Sequence, residues 1–237
     1  CLSGGVGLGP PSSMWAMAAE GPYTVSVEGG NDAIANAGQY PSIRVATIRN
    51  TGSVVPQETV AGKWKISNSE NAGSFSAVAY FFAVYLNRVL NVPVGVIDCS
   101  WGGSHIEGWM PEELLSRYED VDISNAGNPE VADWAQPMIM YNGMLHPLHN
   151  YTIRGFLWYQ GESNIGRHET YPGRMADMAA LWRGKWGLGE LPFYYVEIAP
   201  YDYGDARGDW AALLREAQYK AQALIPNSGM VSTNDLV

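Results

Sequence analysis

The chain has 237 residues, of which 46% are hydrophobic and 16% charged, values that suit a folded domain with a sizeable core and exclude disorder and a coiled coil. Its 14 basic and 24 acidic residues give a net charge of −10. This balance excludes a general nucleic-acid or anionic-membrane binder, because both classes need a positive surface.

The first part of the chain is irregular and then becomes periodic. Residues 1–40 are rich in Gly, Ser, Pro and Ala and show no periodicity, which predicts mostly loop. Alternation of apolar and polar residues over 43–48 predicts a strand, and residues 64–66 predict a second, shorter one.

A helix and a buried strand are predicted next. Ser74 or Ser76 can cap the helix. Apolar residues then recur at helical spacings of three and four: Val78, Phe81, Phe82, Tyr85, Leu86, Val89 and Leu90. Residues 91–93, Asn-Val-Pro, end this helix because proline cannot continue it, and an apolar strand follows over 94–99.

The second half alternates helices with apolar strands. Residues 111–136 are acidic and polar, and Pro111 suits the first turn of a helix. Beyond them, strands are predicted over 153–159, 193–198 and 229–233, and helices over 171–186 and 210–224. This alternation predicts an α/β fold in one domain spanning residues 1–237, with a parallel sheet that carries helices on both faces.

Polar residues follow two of the predicted strands. Gly102, Gly103 and Ser104 come shortly after the strand over 94–99, and Gln160 and Glu162 directly follow the strand over 153–159. In open α/β sheets, ligands bind at the carboxyl ends of the strands. The two loops therefore predict an enzyme whose site lies at this edge.

The sequence gives little indication of a metal site, a membrane span or a disulfide. His146 and His149 have metal-ligand spacing, but neither cysteine nor carboxylate lies near them in sequence, so we expect no metal. No apolar run approaches the ~20 residues of a membrane span. Cys1 and Cys99 allow one disulfide, yet Cys99 closes an apolar strand and is predicted to be a buried thiol.

Five segments carry a family resemblance: residues 75–82 (FSAVAYFF), 95–109 (GVIDCSWGGSHIEGW), 141–144 (YNGM), 158–164 (WYQGESN) and 215–218 (REAQ). In these segments the chain resembles the sialate O-acetylesterase family of carbohydrate esterases, within the SGNH (GDSL-type) hydrolase superfamily. The likeness spans roughly residues 40–235 in the expected order.

The resemblance implies a flavodoxin-like, three-layer fold and a serine esterase that removes O-acetyl groups from sialic acid without metal or organic cofactor. The family carries its nucleophile in Gly-Gln-Ser-Asn-Met. Here residues 10–14 read Pro-Pro-Ser-Ser-Met, so Ser12 aligns with the nucleophile, although the two prolines would reshape the turn. Ser3 is the alternative.

The resemblance also implies roles around the ester. The Gly103 N–H and the Gln160 carboxamide would stabilise the oxyanion, and Glu162 would orient neighbouring groups or the histidine. Residues expected to contact the substrate are Gly102, Ser104, His105 and Arg167, the last through a sugar carboxylate. Arg215 and Gln218 share one helix face and would support the floor of the site.

Two family features have no counterpart in the sequence. Almost no strand precedes the aligned nucleophile, and the family's general-base histidine lies in an Asp-x-His-Pro segment downstream of residues 233–235. None of the histidines at 105, 146, 149 and 168 matches it. The resemblance therefore implies a domain that is incomplete at both ends, with its base outside the chain, and export to the periplasm or the exterior.

Three alternatives stay open. The substrate is acetylated xylan or another glycan instead of sialic acid, or the chain is a non-catalytic carbohydrate-binding remnant of the same fold. A flavodoxin-like cofactor binder is the third, but the glycine-rich residues 4–9 lack a recognisable preceding strand and run into prolines.

Overall fold

The computed structural model describes residues 2–4, 29–201, 203–204 and 207–234. Within them, seven strands form one sheet in the order β3-β2-β4-β1-β5-β6-β7, parallel except for the antiparallel edge strand β3. The strands are β1 (Leu2–Gly4), β2 (Ile43–Ile48), β3 (Gly62–Ile66), β4 (Val94–Asp98), β5 (Phe156–Tyr159), β6 (Phe193–Val196) and β7 (Ser228–Val231).

Four of the α-helices that the structure describes lie where the sequence predicted helices, and two, Gly30–Asn36 and Ser69–Ala72, were not predicted. The helices are α1 (Gly30–Asn36), α2 (Ser69–Ala72), α3 (Ala77–Leu90), α4 (Glu112–Leu115), α5 (Tyr171–Trp186) and α6 (Trp210–Ala221), with one π-helical turn over Tyr141–Leu145. The mixed α/β fold with a largely parallel sheet is confirmed. Among the helices that the structure describes, none has the length and apolarity to cross a membrane.

Two regular elements lie within residues 1–40, which the sequence predicts to be mostly loop. α1 occupies part of this region, and β1 is a central strand of the sheet, with Ser3 opposite Asp98 of β4 and Leu157 of β5. Three residues are too few to show a period, and hydrogen bonds from neighbours on both sides stabilise β1 instead.

Helix α3 packs against the sheet through its alanines and Tyr80. Ser76 caps it, accepting a hydrogen bond from the Ala79 N–H at 3.5 Å. Ala83 and Tyr80 are buried against Val45 and Val96 of β2 and β4. The larger residues that revealed the helical period lie mainly on the outer face, among them Val78, Phe81, Tyr85, Val89 and Leu90. The period predicts the helix correctly but not which face is buried.

The opposite face of the sheet carries an aromatic core under α5 and α6. Phe156, Trp158 and Phe193 point from the strands toward Trp182 of α5, and the rings of Trp158 and Trp182 meet nearly edge to face with centroids 5.5 Å apart. Cys99 is fully buried in this core as a free thiol, which confirms its predicted state. This packed layer includes Cys99 and Trp158, near the carboxyl ends of β4 and β5.

Candidate active site

The two polar loops identified from the sequence lie on either side of β1. One follows β4 and the other follows β5, and both strands pair in parallel with β1. Parallel neighbours end at the same edge of a sheet. Ser3 lies within β1, and Ser12 lies outside the described residues.

Direct hydrogen bonds join these two loops. Ser163 Oγ donates to the Gly103 carbonyl at 2.7 Å, and Gln160 Nε2 donates to the Ser104 carbonyl at 2.8 Å. The Ile106 N–H donates to Asn164 Oδ1 at 2.9 Å. The structure therefore brings the Gly103 and Gln160 loops into a single site.

Gly103 presents its amide at this junction. The residue is partly buried and has a φ of 75°, in the left-handed region that favours glycine. Its carbonyl is occupied by Ser163, but among the described residues no acceptor contacts its N–H. The neighbouring Gly102 is exposed. The Gly103 amide is thus able to donate a hydrogen bond to a ligand.

The geometry does not fit Gln160 as an oxyanion donor. Its side chain is 2% exposed, and its Nε2 also donates to Asn164 Oδ1 at 2.6 Å, so both amide hydrogens are used inside the protein. The Tyr171 hydroxyl donates to Gln160 Oε1 at 2.9 Å. Gln160 therefore ties the two loops to α5 and positions them.

Ser104 also differs from its expected role. It is buried, and its hydroxyl accepts a hydrogen bond from Trp109 Nε1 at 2.9 Å. A hydroxyl that points into the core is not placed to bind a substrate. Ser104 instead fixes the loop through its side chain and its carbonyl.

A buried charged group under the site was not anticipated. Glu107 accepts a hydrogen bond from Asn164 Nδ2 at 3.0 Å and forms an ion pair with Arg174, which also pairs with Asp120. Because a buried carboxylate is costly unless it is paired, these contacts hold the β4 loop against α5. Glu107 lies within the matched segment 95–109, but the distant Arg174 that pairs with it carries no local signal.

Arg167 and His105 lie above this buried group. The Arg167 side chain is 47% exposed, with Nη1 3.7 Å from Glu107 Oε1. Burial lowers the pKa of His105, and the Arg167 charge lowers it further, whereas the Glu107 carboxylate raises it. The site therefore offers a guanidinium and an imidazole to a ligand.

Glu162 lies close enough to Tyr159 and Tyr203 for its charge to act on them. Burial raises its pKa, and hydrogen bonds from the backbone of Gly161 and of Glu162 itself oppose this shift. Burial raises the pKa of Tyr159 to about 12, and the Glu162 carboxylate adds to this shift. Burial and the Glu162 charge also raise the pKa of Tyr203. A carboxylate in these surroundings is a candidate for orienting a catalytic histidine.

Gln218 supports the end of β5 from α6. It is fully buried, donates from Nε2 to the Gln160 carbonyl at 3.0 Å, and accepts from the Ile198 N–H at 2.9 Å. A Cβ on Gly161 would lie 2.7 Å from Ile198 Cγ2 and 3.1 Å from Gln218 Nε2, so only glycine fits there. Arg215, on the same helix, is partly buried, and its charge opposes the rise in the pKa of Tyr203 that burial causes.

The paired histidines belong to the core and not to this site. His146 Nδ1 lies 2.9 Å from the Gln57 carbonyl, and the His149 ring packs 4.7 Å from Trp186. Burial lowers the pKa of His149 to about 4. Across the ranges that the structure describes, no group of three His, Cys, Asp or Glu side chains is arranged to hold a metal ion.

Comparison with known families shows to which family the chain belongs. A family model described as carbohydrate esterase, sialic acid-specific acetylesterase, matches residues 31–237. The chain belongs to this family. The resemblance inferred from the five segments is therefore confirmed.

Two relatives of the chain are sialate O-acetylesterases. The sialate O-acetylesterase of Pongo abelii is 29% identical over 216 residues, and that of Homo sapiens is 28% identical over 216 residues. The match covers 84% of this chain and 41% of each relative. The chain thus spans about two fifths of the length of these acetylesterases.

Solved structures give the same result. A carbohydrate acetylesterase from Xanthomonas citri is 32% identical with a TM-score of 0.78, and the match covers 98% of this chain and 49% of that one. A protein from Arabidopsis thaliana is 17% identical with a TM-score of 0.52, over 98% of this chain and 85% of that one, and supports the fold alone.

Proposed function

We propose that the intact protein removes O-acetyl groups from carbohydrates by serine acyl transfer, with O-acetylated sialic acid as its preferred substrate. The observation that carries this proposal is the Gly103 amide at the junction of two joined loops, beside the carboxyl end of β1. The chain's membership of an acetylesterase family supports the same chemistry.

The proposed reaction has two steps. The Ser12 hydroxyl attacks the acetyl carbonyl, a histidine of the family's Asp-x-His-Pro segment accepts the proton, and the Gly103 N–H stabilises the oxyanion. The C–O bond to the sugar then breaks, the histidine protonates the sugar oxygen, and water hydrolyses the acetyl-serine to acetate. Glu162 orients the histidine, and Gln160, Gln218 and Arg215 support the loops.

Arg167 is the basis for preferring sialic acid. Its half-exposed guanidinium lies at the rim of the site and can pair with the carboxylate that distinguishes sialic acid from neutral sugars. Gly102 and His105 flank the same opening. Acetylated xylan and other neutral glycans are the second choice, because they leave Arg167 without a ligand. Secretion or a periplasmic location would fit such glycan substrates.

The test is acetate release by the intact protein from O-acetylated sialic acid and from acetylated xylan. We expect faster release from sialic acid, and the Ser12→Ala variant to lose at least ~1000-fold in kcat, as triad variants do. Ser3→Ala is the matched control.

Each outcome decides one part of the proposal. Loss of activity in Ser3→Ala with an unaffected Ser12→Ala would move the nucleophile to Ser3. Binding of sugar without any acetate release by the unmodified protein would favour the carbohydrate-binding remnant. Faster release from xylan would reverse the substrate preference.

A further inference from the structure

An exposed tryptophan stands directly beside the proposed oxyanion donor. Trp134 lies in the 3-10 turn Asp133–Ala135, and its carbonyl accepts a hydrogen bond from the His105 N–H at 3.3 Å. A Cβ added to Gly103 would lie 3.8 Å from both Cγ and Cδ2 of the indole. A Cβ at Gly103 would thus be in ordinary van der Waals contact with the indole, which places Trp134 directly beside Gly103.

The indole is uncovered although the site around it is well packed. Trp134 is 44% exposed, whereas Trp109 and Trp158, next to the same two loops, are buried. Exposure alone does not distinguish Trp134, because Trp64 is 41% exposed; what distinguishes Trp134 is its contact distance to Gly103 and to His105. The His105 ring stands nearly perpendicular to it, with centroids 5.8 Å apart.

We propose that Trp134 is the platform on which the pyranose ring of an acetylated sugar stacks, so that the ester carbonyl reaches the Gly103 amide. This inference depends on the proposed esterase function and names its sugar-binding surface. A pyranose has an apolar C–H face that matches an indole, and hydroxyl groups around its edge. His105 and Arg167 are the polar groups at the rim that can contact those hydroxyls and a carboxylate.

The experiment compares two acetate esters on the intact protein. One is an O-acetylated sugar, and the other is ethyl acetate, whose alcohol is too small to stack. Trp134→Ala should raise KM for the acetylated sugar about tenfold or more, leave its kcat within about twofold, and leave ethyl acetate hydrolysis unchanged. Trp134→Phe should keep most of the sugar affinity. Trp64→Ala, at an equally exposed tryptophan on β3, is the matched control and should change neither ester.

Two results would overturn the inference. An unchanged KM for the acetylated sugar in Trp134→Ala would contradict sugar stacking on Trp134. An equal loss of activity toward both esters would show that Trp134 only shapes the loop. If the unmodified protein hydrolyses neither ester, the esterase proposal fails. Calorimetric binding of the deacetylated sugar then tests the platform alone, since Trp134→Ala should weaken binding and Trp64→Ala should not.

Discussion

At the residue scale, Gly103 combines three properties that no other residue type can supply together. Its φ of 75° is left-handed, its N–H is open among the described residues, and the space that a Cβ would fill faces Trp134. Non-glycine residues pay about 1–2 kcal/mol for a left-handed conformation. A methyl group there would also narrow the approach to the amide.

We expect Gly103→Ala to lower kcat/KM for acetate esters by at least about tenfold, because a shifted oxyanion donor stabilises the transition state less well. Stability should fall by only about 1 kcal/mol. Acetate release and urea denaturation of the intact protein measure the two effects.

Gly189→Ala is the matched control. Its φ is 80° and nothing lies within 4 Å of its Cβ position, so it should show the same strain without loss of activity. Equal activities of the two variants would contradict the role of the Gly103 amide.

At the element scale, the π-helical turn Tyr141–Leu145 clamps a loop that precedes β3. Asn142 Nδ2 donates to the Val54 carbonyl at 2.8 Å, and the Asn142 carbonyl accepts from the Gln57 N–H at 2.9 Å. A Cβ on Gly143 would overlap the Thr51 carbonyl oxygen. The close approach of the Thr51 backbone therefore requires glycine within the YNGM segment.

We expect Gly143→Ala to destabilise the protein by about 2–3 kcal/mol, since a backbone carbonyl cannot move aside as a flexible side chain can. Gly184→Ala in α5 has open space around it and should stabilise by about 0.5–1 kcal/mol. Urea midpoints of the two variants should shift in opposite directions. A Gly143→Ala midpoint equal to that of the unmodified protein would refute the clamp.

At the scale of the whole molecule, two buried carboxyls at the ends of β4 and β5 make the stability depend on pH. The carboxyls of Asp98 and Glu162 both have pKa values raised by burial. A raised folded-state pKa means that the folded protein binds the proton more tightly than the unfolded chain. The contribution of these carboxyls is therefore favourable below their ordinary pKa and is lost as the pH rises through the folded-state value.

We expect Glu162→Gln to be more stable than the unmodified protein at pH 7, because it removes a poorly solvated charge. The difference should vanish below about pH 4, where the carboxyl is protonated in both states. Acetate release should fall at the same time, since an amide orients a histidine less well. Unfolding measured across this pH range tests the prediction.

The exposed Glu169 is the matched control for this pair of effects. Glu169→Gln should change neither stability nor acetate release. A Glu162→Gln variant that is less stable than the unmodified protein at pH 7 would contradict burial as the dominant influence on the pKa of Glu162.

Much of the fold followed from local patterns. Helix α5 and strand β2 have the predicted bounds, because period and flanking residues act within a few positions along the chain. The strand predicted over 153–159 is shorter in the structure. Strand β5 starts at Phe156, because its pairing with β6 begins at that residue. The two site loops were found for the same reason: each directly follows an apolar strand.

The sequence by itself determined the α/β alternation, the family and the two loops that build the site, since each depends on residues close together in the chain. Only the tertiary structure decided that Leu2–Gly4 is a central strand. It also decided that the Gln160 amide donates to Ser104 and Asn164, and that Trp134 lies beside Gly103. These features depend on groups far apart in sequence, and their energies exist only after the sheet has brought those groups into contact.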